Sequence, residues 1–268
     1  MRRVAKAAYE DNILFLGSAL TFDAILAALP FLILLLAALG YAVGPGDGAV
    51  TDFMKLVDRV LPAQRGDVSI LRFEDLVRVV VDSRSQLSIW GLPLFLWLAT
   101  RLFASARAAL NEVFDTEETR GFAVGKAVDL GMVILVLLLV IANTVLSVVL
   151  PNAPWIGRFA TELTTFVLGL LLFVTVYVVL PSRTVAWDTA LVAATVASLG
   201  FGVSKKLFAI YLTKFATFDR VLSNANALAI LLGILWMYCT ACILLLGGEV
   251  AETYDLRRRQ RAQRTVLG

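Results

Sequence analysis

The sequence predicts an all-α fold: a polytopic bundle of about six transmembrane helices, with an amphipathic helical hairpin between the first and second spans. Three observations predict it. First, six long apolar runs cover 13–43, 89–110, 124–150, 163–180, 189–212 and 227–248. A bilayer's hydrocarbon core is roughly 30 Å thick, and a helix rising about 1.5 Å per residue crosses it in about 20 residues. Second, hydrophobic residues make up 59% of the chain and charged residues 17%, with a mean hydropathy of +0.83. Soluble domains sit nearer about 45–50% and about 25%. Third, basic residues gather beyond the runs. Arg2, Arg3 and Lys6 precede the first, and five arginines follow the last within 257–264. That is the positive-inside pattern, so the net charge of +3 reads as topology and contact with anionic lipid headgroups, not as nucleic-acid binding. The length fits a single transmembrane domain over 1–268, with an outer amphipathic segment at 44–88 and a basic cytoplasmic tail at 249–268.

The first run follows a basic start, as a signal peptide would. It far exceeds the roughly 7–15 residues of a signal core, and no small-x-small site ends it, so it is read as an uncleaved span. Pro30 is expected to kink it, and Gly17–Ser18 lets its first turns lie at the interface. In the next link, Phe53, Leu56, Val57, Val60 and Leu61 recur with helical spacing, and Pro62 ends the pattern. A second amphipathic helix starts near Phe73 and runs through Leu76, Val77 and Val80. The pair is read as a hairpin on the outer mouth of the bundle, or as interfacial helices in the outer leaflet.

With both basic termini in the cytoplasm, the number of crossings is even. Links 111–123 and 181–188 then face the cytoplasm, and 44–88, 151–162 and 213–226 face outward. Eleven basic residues fall inside (Arg2, Arg3, Lys6, Arg120, Lys126, Arg183 and the five of the tail). The short outer links hold three: Arg158, Lys214 and Arg220. In the fifth run, Ala186, Ala190, Ala194, Ser198 and Gly202 recur every four residues. Such a small-residue stripe lets a neighbouring backbone approach closely and places this helix at the centre of the bundle. Cys239 and Cys242 lie three apart in the last run, with no further metal ligand nearby, and read as small packing residues.

Ionisable groups at membrane depth are costly, which makes them functional candidates. Asp23 lies inside the first run and Arg101 in the second, at a depth assigned to the cytoplasmic half. Asp188 opens the fifth, and Glu249 closes the sixth. These four form a candidate intramembrane polar cluster, read either as an ion-paired latch between helices or as the lining of a cytoplasm-facing cavity. Lys205 and Lys206 near the outer end of the fifth run either snorkel to the headgroups or contact an anionic headgroup. Asn143, Thr144, Thr164, Thr165 and Thr175 are candidates for hydrogen bonds between helices.

Catalytic chemistry finds little support. The chain has no histidine, and hence no imidazole base, shuttle or metal ligand. No phosphate loop, nucleophile elbow or dinucleotide fingerprint occurs. Glu112, Asp115, Glu117 and Glu118 read as a solvated acidic loop, not as a two-metal nuclease site. The expectation is a protein with no catalytic residue, no metal and no cofactor.

The stretch 96–111 reads LWLATRLFASARAALN. It resembles the "LW..SR.f..l..aLN" segment of the YihY/virulence factor BrkB family of bacterial inner-membrane proteins. Leu180-Pro181, Trp187-Asp188 and KLFAIY at 206–211 are similar to that family's "LP…wrda…k.lF..Y" stretch. WMY at 236–238 and LGGE at 246–249 are similar to its "lWlY…lLGaE" ending, and 20–30 to its first-span pattern. The resemblance covers nearly the whole chain. It departs at Phe22-Asp23, where two tyrosines are usual, at Ala27, where serine is usual, and around Leu222-Ser223-Asn224, where a Tyr-Gly-Ser turn is usual. It implies an inner-membrane protein of six helices, and marks Arg101, Asn111, Lys206, Tyr211 and Glu249 as positions of interest. Members have carried a ribonuclease label, and others are linked to serum resistance or lipid export.

The functional expectation is a non-enzymatic inner-membrane protein that moves or handles a lipid or another amphipathic or anionic molecule. The alternative is a structural or assembly protein with no cargo. A membrane ribonuclease is disfavoured. The expected partners are membrane lipids and no nucleic acid, with a second copy or another membrane protein left open.

Overall fold

The computed structural model describes residues 2–43, 70–116, 120–149, 157–215 and 225–267. Among them are seven α-helices and no strand: α1 Arg2–Glu10, α2 Ile13–Val43, α3 Ile70–Val113, α4 Phe122–Val149, α5 Gly157–Val179, α6 Trp187–Phe215 and α7 Ala225–Leu267. Five carry stretches long and apolar enough to cross a bilayer: Ile13–Leu35, Ser85–Val113, Phe122–Leu146, Trp187–Tyr211 and Leu231–Arg258. α5 adds a shorter apolar stretch, Leu163–Val179. Large apolar side chains such as Phe15, Phe22, Leu171, Leu199 and Leu207 point outward, as lipid-facing residues do. The protein is a polytopic helical membrane bundle.

Three boundaries differ from the sequence reading. The N-terminal segment is a separate helix, because the chain breaks at Asp11–Asn12. There Asn12 adopts a left-handed φ of 50°, a conformation that asparagine tolerates better than most residues. The expected second amphipathic helix and the second span are one helix, α3. Its polar stretch Ser83–Ser88 resembles a link but contains neither proline nor glycine, so nothing stops the helix there. Pro93 sits in the interior of α3, where it removes one backbone hydrogen bond. The basic tail continues the last span as helix to Leu267. The expected helix at 53–61 lies outside the described residues, as do Arg220 and the 222–224 turn.

The chain divides into two compact units. One comprises Met1–Ala24 with Thr100–Gly268. Within it α6 packs against both α5 and α7, as the small-residue stripe predicts. Ala190, Ala194 and Ser198 are buried, as are Ala193 and Ala197 beside them. α4 packs against α5, and α1 against α7. Phe201 and Phe208 both lie against Trp236, joining α6 to α7 through aromatic contacts. Cys242 is buried and Cys239 half-buried, and both are free. A Cβ added at Gly17 would meet the Cys242 sulfur at 2.8 Å, so the two helices nearly touch there.

The other unit is Ile25–Ala99. In it Phe31 lies against Phe95, with ring centroids 5.7 Å apart. Gly91 brings α3 close to α2, since a Cβ there would sit 3.2 Å from Leu34.

Candidate functional site

Charged side chains inside the apolar helices form the candidate site, and the structure sorts them differently from the sequence reading. Asp23 on α2 and Arg101 on α3 come together. Arg101 Nε lies 3.0 Å from Asp23 Oδ1, a charge contact that is not aligned as a hydrogen bond. Ser105, one turn along α3, donates to the other oxygen of Asp23. The Asp23 side chain is 7% exposed and that of Arg101 is 50% exposed. The carboxylate is thus held inside the protein while the guanidinium reaches its surface.

Two further elements of this polar zone escaped the sequence reading. Arg107 on α3 donates to both oxygens of Asp129 on α4, at 2.7 and 3.2 Å, and to the Gly125 carbonyl at 2.9 Å. Asp129 is fully buried. Lys126 on α4 donates to Thr100 Oγ1 at 3.0 Å. A signal for both existed. Lys126 and Asp129 interrupt an apolar run within the first turns of a span, the same feature that singles out Asp23.

The other two members of the expected cluster sit elsewhere. Asp188, in the first turn of α6, pairs with Arg258 on α7. Its position also places a negative charge at the positive end of the helix dipole. Glu249 is 1% exposed. Its Oε1 has no hydrogen-bond partner among the described residues. The four residues therefore do not form one cluster, because the register between helices decides partners and single-helix spacing does not.

Around Glu249, residues from several loops and helices converge. The Asn111 amide group bonds Ser182 twice, Nδ2 donating to Ser182 Oγ at 2.9 Å and Oδ1 accepting from its backbone N–H at 2.8 Å. Arg120 donates to the Val179 and Pro181 carbonyls at 2.8 and 2.7 Å, capping the end of α5. Arg183 binds Glu252, lies 3.7 Å from Asp255, and stacks over the Phe114 ring. The links after α3 and α5 thus lie side by side.

Lys205 and Lys206 are exposed on α6, and no acceptor meets either among the described residues. Thr165 donates to Asn143 at 3.2 Å, joining α5 to α4. Thr144 and Thr175 instead bond carbonyls of their own helices. Among the described residues, no three His, Cys, Asp or Glu side chains converge as a metal-holding group.

The family model described as virulence factor BrkB matches residues 4–266. The chain is 28% identical to a UPF0761 membrane protein of Cronobacter sakazakii, over 95% of this chain and 88% of that one. It is 28% identical to a UPF0761 membrane protein of Alteromonas mediterranea, over 69% of this chain and 67% of that one. It is 22% identical to the ribonuclease-like protein YfkH of Bacillus subtilis, over 90% and 89%. The chain spans about half the length of some of the other relatives it matches, 56% and 46% in two cases. No solved structure matches it.

Proposed function

Since this chain belongs to the virulence factor BrkB family, whose relatives here are named as membrane proteins, we propose that it is a multi-pass protein of the bacterial inner membrane that binds and moves a lipid or another amphipathic anion. Both termini face the cytoplasm in this reading, and no bond of the cargo is made or broken. One observation carries it. Arg101 holds a half-exposed positive charge well inside an apolar span. A charge at that depth is expensive unless it serves a path or a ligand. Lys205 and Lys206, exposed far along α6, supply a second place for an anionic headgroup.

The test is flux of a labelled anionic lipid between leaflets of proteoliposomes. Faster exchange than in protein-free vesicles supports the reading, as does its loss in a Lys205→Glu, Lys206→Glu variant. Exchange at the protein-free rate removes it.

A structural or assembly role without cargo is the second reading. It is favoured by the Arg107–Asp129, Asn111–Ser182 and Arg120–Pro181 contacts, which only fasten helices and links together. Equal flux with and without protein, alongside loss of a partner complex on changing Asn111, would favour it. The ribonuclease-like name of one relative is not carried over, since a chain without histidine and without a convergent carboxylate group among its described residues offers no evident means of cutting RNA.

A further inference from the structure

Asp23 lies ten residues past the start of α2 at Ile13, and Arg101 twelve residues before the end of α3 at Val113. At about 1.5 Å per residue, that is about 15–18 Å along each helix from the end that adjoins a link. This exceeds the several ångströms an arginine side chain can snorkel. Yet half of the Arg101 side chain is exposed. Its Nε faces Asp23, and no acceptor meets its two terminal nitrogens among the described residues.

Among the described residues, the surrounding charges do not cancel. Lys126 reaches Thr100, the residue next to Arg101, and forms no ion pair among the described residues. Asp129 is near enough to feel the Lys126 charge, but both its oxygens are already taken by Arg107. Three cations (Arg101, Arg107 and Lys126) therefore share two carboxylates. An excess positive charge with open donors, in a medium of low dielectric, attracts an anion strongly. A guanidinium with two terminal nitrogens open fits a phosphate oxygen pair, and a neighbouring ammonium adds a point charge.

We propose that Arg101 and Lys126 form an oxyanion site that takes the phosphate of an amphipathic molecule inside the membrane, with Asp23 holding Arg101 in place and limiting its net charge. The site rests on the reading that this protein binds an amphipathic anion, but it is tested by binding rather than by transport.

The protein is placed in nanodiscs of phosphatidylglycerol mixed with phosphatidylcholine, and lipid retention is read by native mass spectrometry. Arg101→Gln and Lys126→Gln should each weaken phosphatidylglycerol retention, the former by about tenfold for a lost charge-assisted contact. Asp23→Asn should strengthen it, because the anion-repelling charge is gone. A mere latch predicts the same direction for Asp23→Asn and Arg101→Gln, and that result overturns the site. The double variant Asp23→Asn, Arg101→Gln buries no unpaired charge, and so keeps the test valid if a single variant fails to fold. It should retain as little as Arg101→Gln.

A parallel arm compares thermal stabilisation by inorganic phosphate and by chloride at equal ionic strength. Stabilisation by phosphate that Arg101→Gln abolishes, without selective lipid retention, identifies a free solute as the ligand and overturns lipid handling while keeping the site. Selective retention without flux keeps the site and removes transport. Neither retention nor stabilisation removes the site itself.

Discussion

Tyr177 on α5 donates its hydroxyl to the Leu244 carbonyl of α7 across 2.6 Å, and it does so over Gly247, where there is no room for a Cβ. A methyl group there would collide with the tyrosine oxygen and approach the Ala193 carbonyl to 3.0 Å. The small-residue face of α6, the buried Tyr177 and the glycine pair of α7 thus form one close three-helix junction.

Gly247→Ala is expected to destabilise the protein by about 1–3 kcal/mol through overpacking. Gly202→Ala, which meets nothing within 4 Å, should be neutral, or stabilising by up to about 1 kcal/mol from helix propensity. Thermal unfolding of the two variants in the same detergent measures the contrast. Equal effects would mean that the junction is looser than described.

Arg107→Ala leaves the buried Asp129 carboxylate without its partner, and should cost about 3–5 kcal/mol. Replacing both, as Arg107→Met with Asp129→Leu, should recover much of that loss, because no charge is then stranded. A denaturation series across the single and double variants supplies the coupling. Additive losses would contradict a direct pair.

Glu249→Gln is expected to leave stability nearly unchanged. The amide keeps the shape of the side chain, and among the described residues no cation pairs with Glu249 that would lose a partner. Glu249→Ala should cost about 1–3 kcal/mol, from the packing it removes at a buried position. Loss of folding in Glu249→Gln alone would mean that a charged carboxylate is needed there.

Much of this was legible in the residues. The run from Ile13 to Val43 predicts α2, which starts at Ile13 and is helical through Val43, because apolar length alone decides a span. The every-fourth-residue stripe predicts the packing of α6 at Ala190, Ala194 and Ser198, but Ala186 is exposed ahead of the helix and Gly202 meets no neighbour within 4 Å. The joined α3 was not legible, since polar residues 83–88 mark a link as readily as an exposed turn of helix. The break at Asn12 depends on one left-handed residue, which spacing does not reveal. In the site, Asp23 and Arg101 announce themselves as charges in apolar runs. Their pairing with each other, and the pairing of Asp188 with Arg258, depend on how helices distant in sequence are set against one another. Ser105 and Thr100 were passed over because small hydroxyls are ordinary in membrane helices, and only their partners give them a role.

The depth of the Asp23–Arg101 pair is the claim on which the oxyanion site stands. A spin label at Phe22→Cys, in a Cys239→Ala, Cys242→Ala background, sits on the exposed flank beside Asp23. Its depth in a bilayer can be read from relaxation by dissolved oxygen against a water-soluble nickel complex. The account predicts a label inside the roughly 30 Å core, well below the headgroups. A label at headgroup depth would make Arg101 an ordinary interfacial arginine and contradict the account.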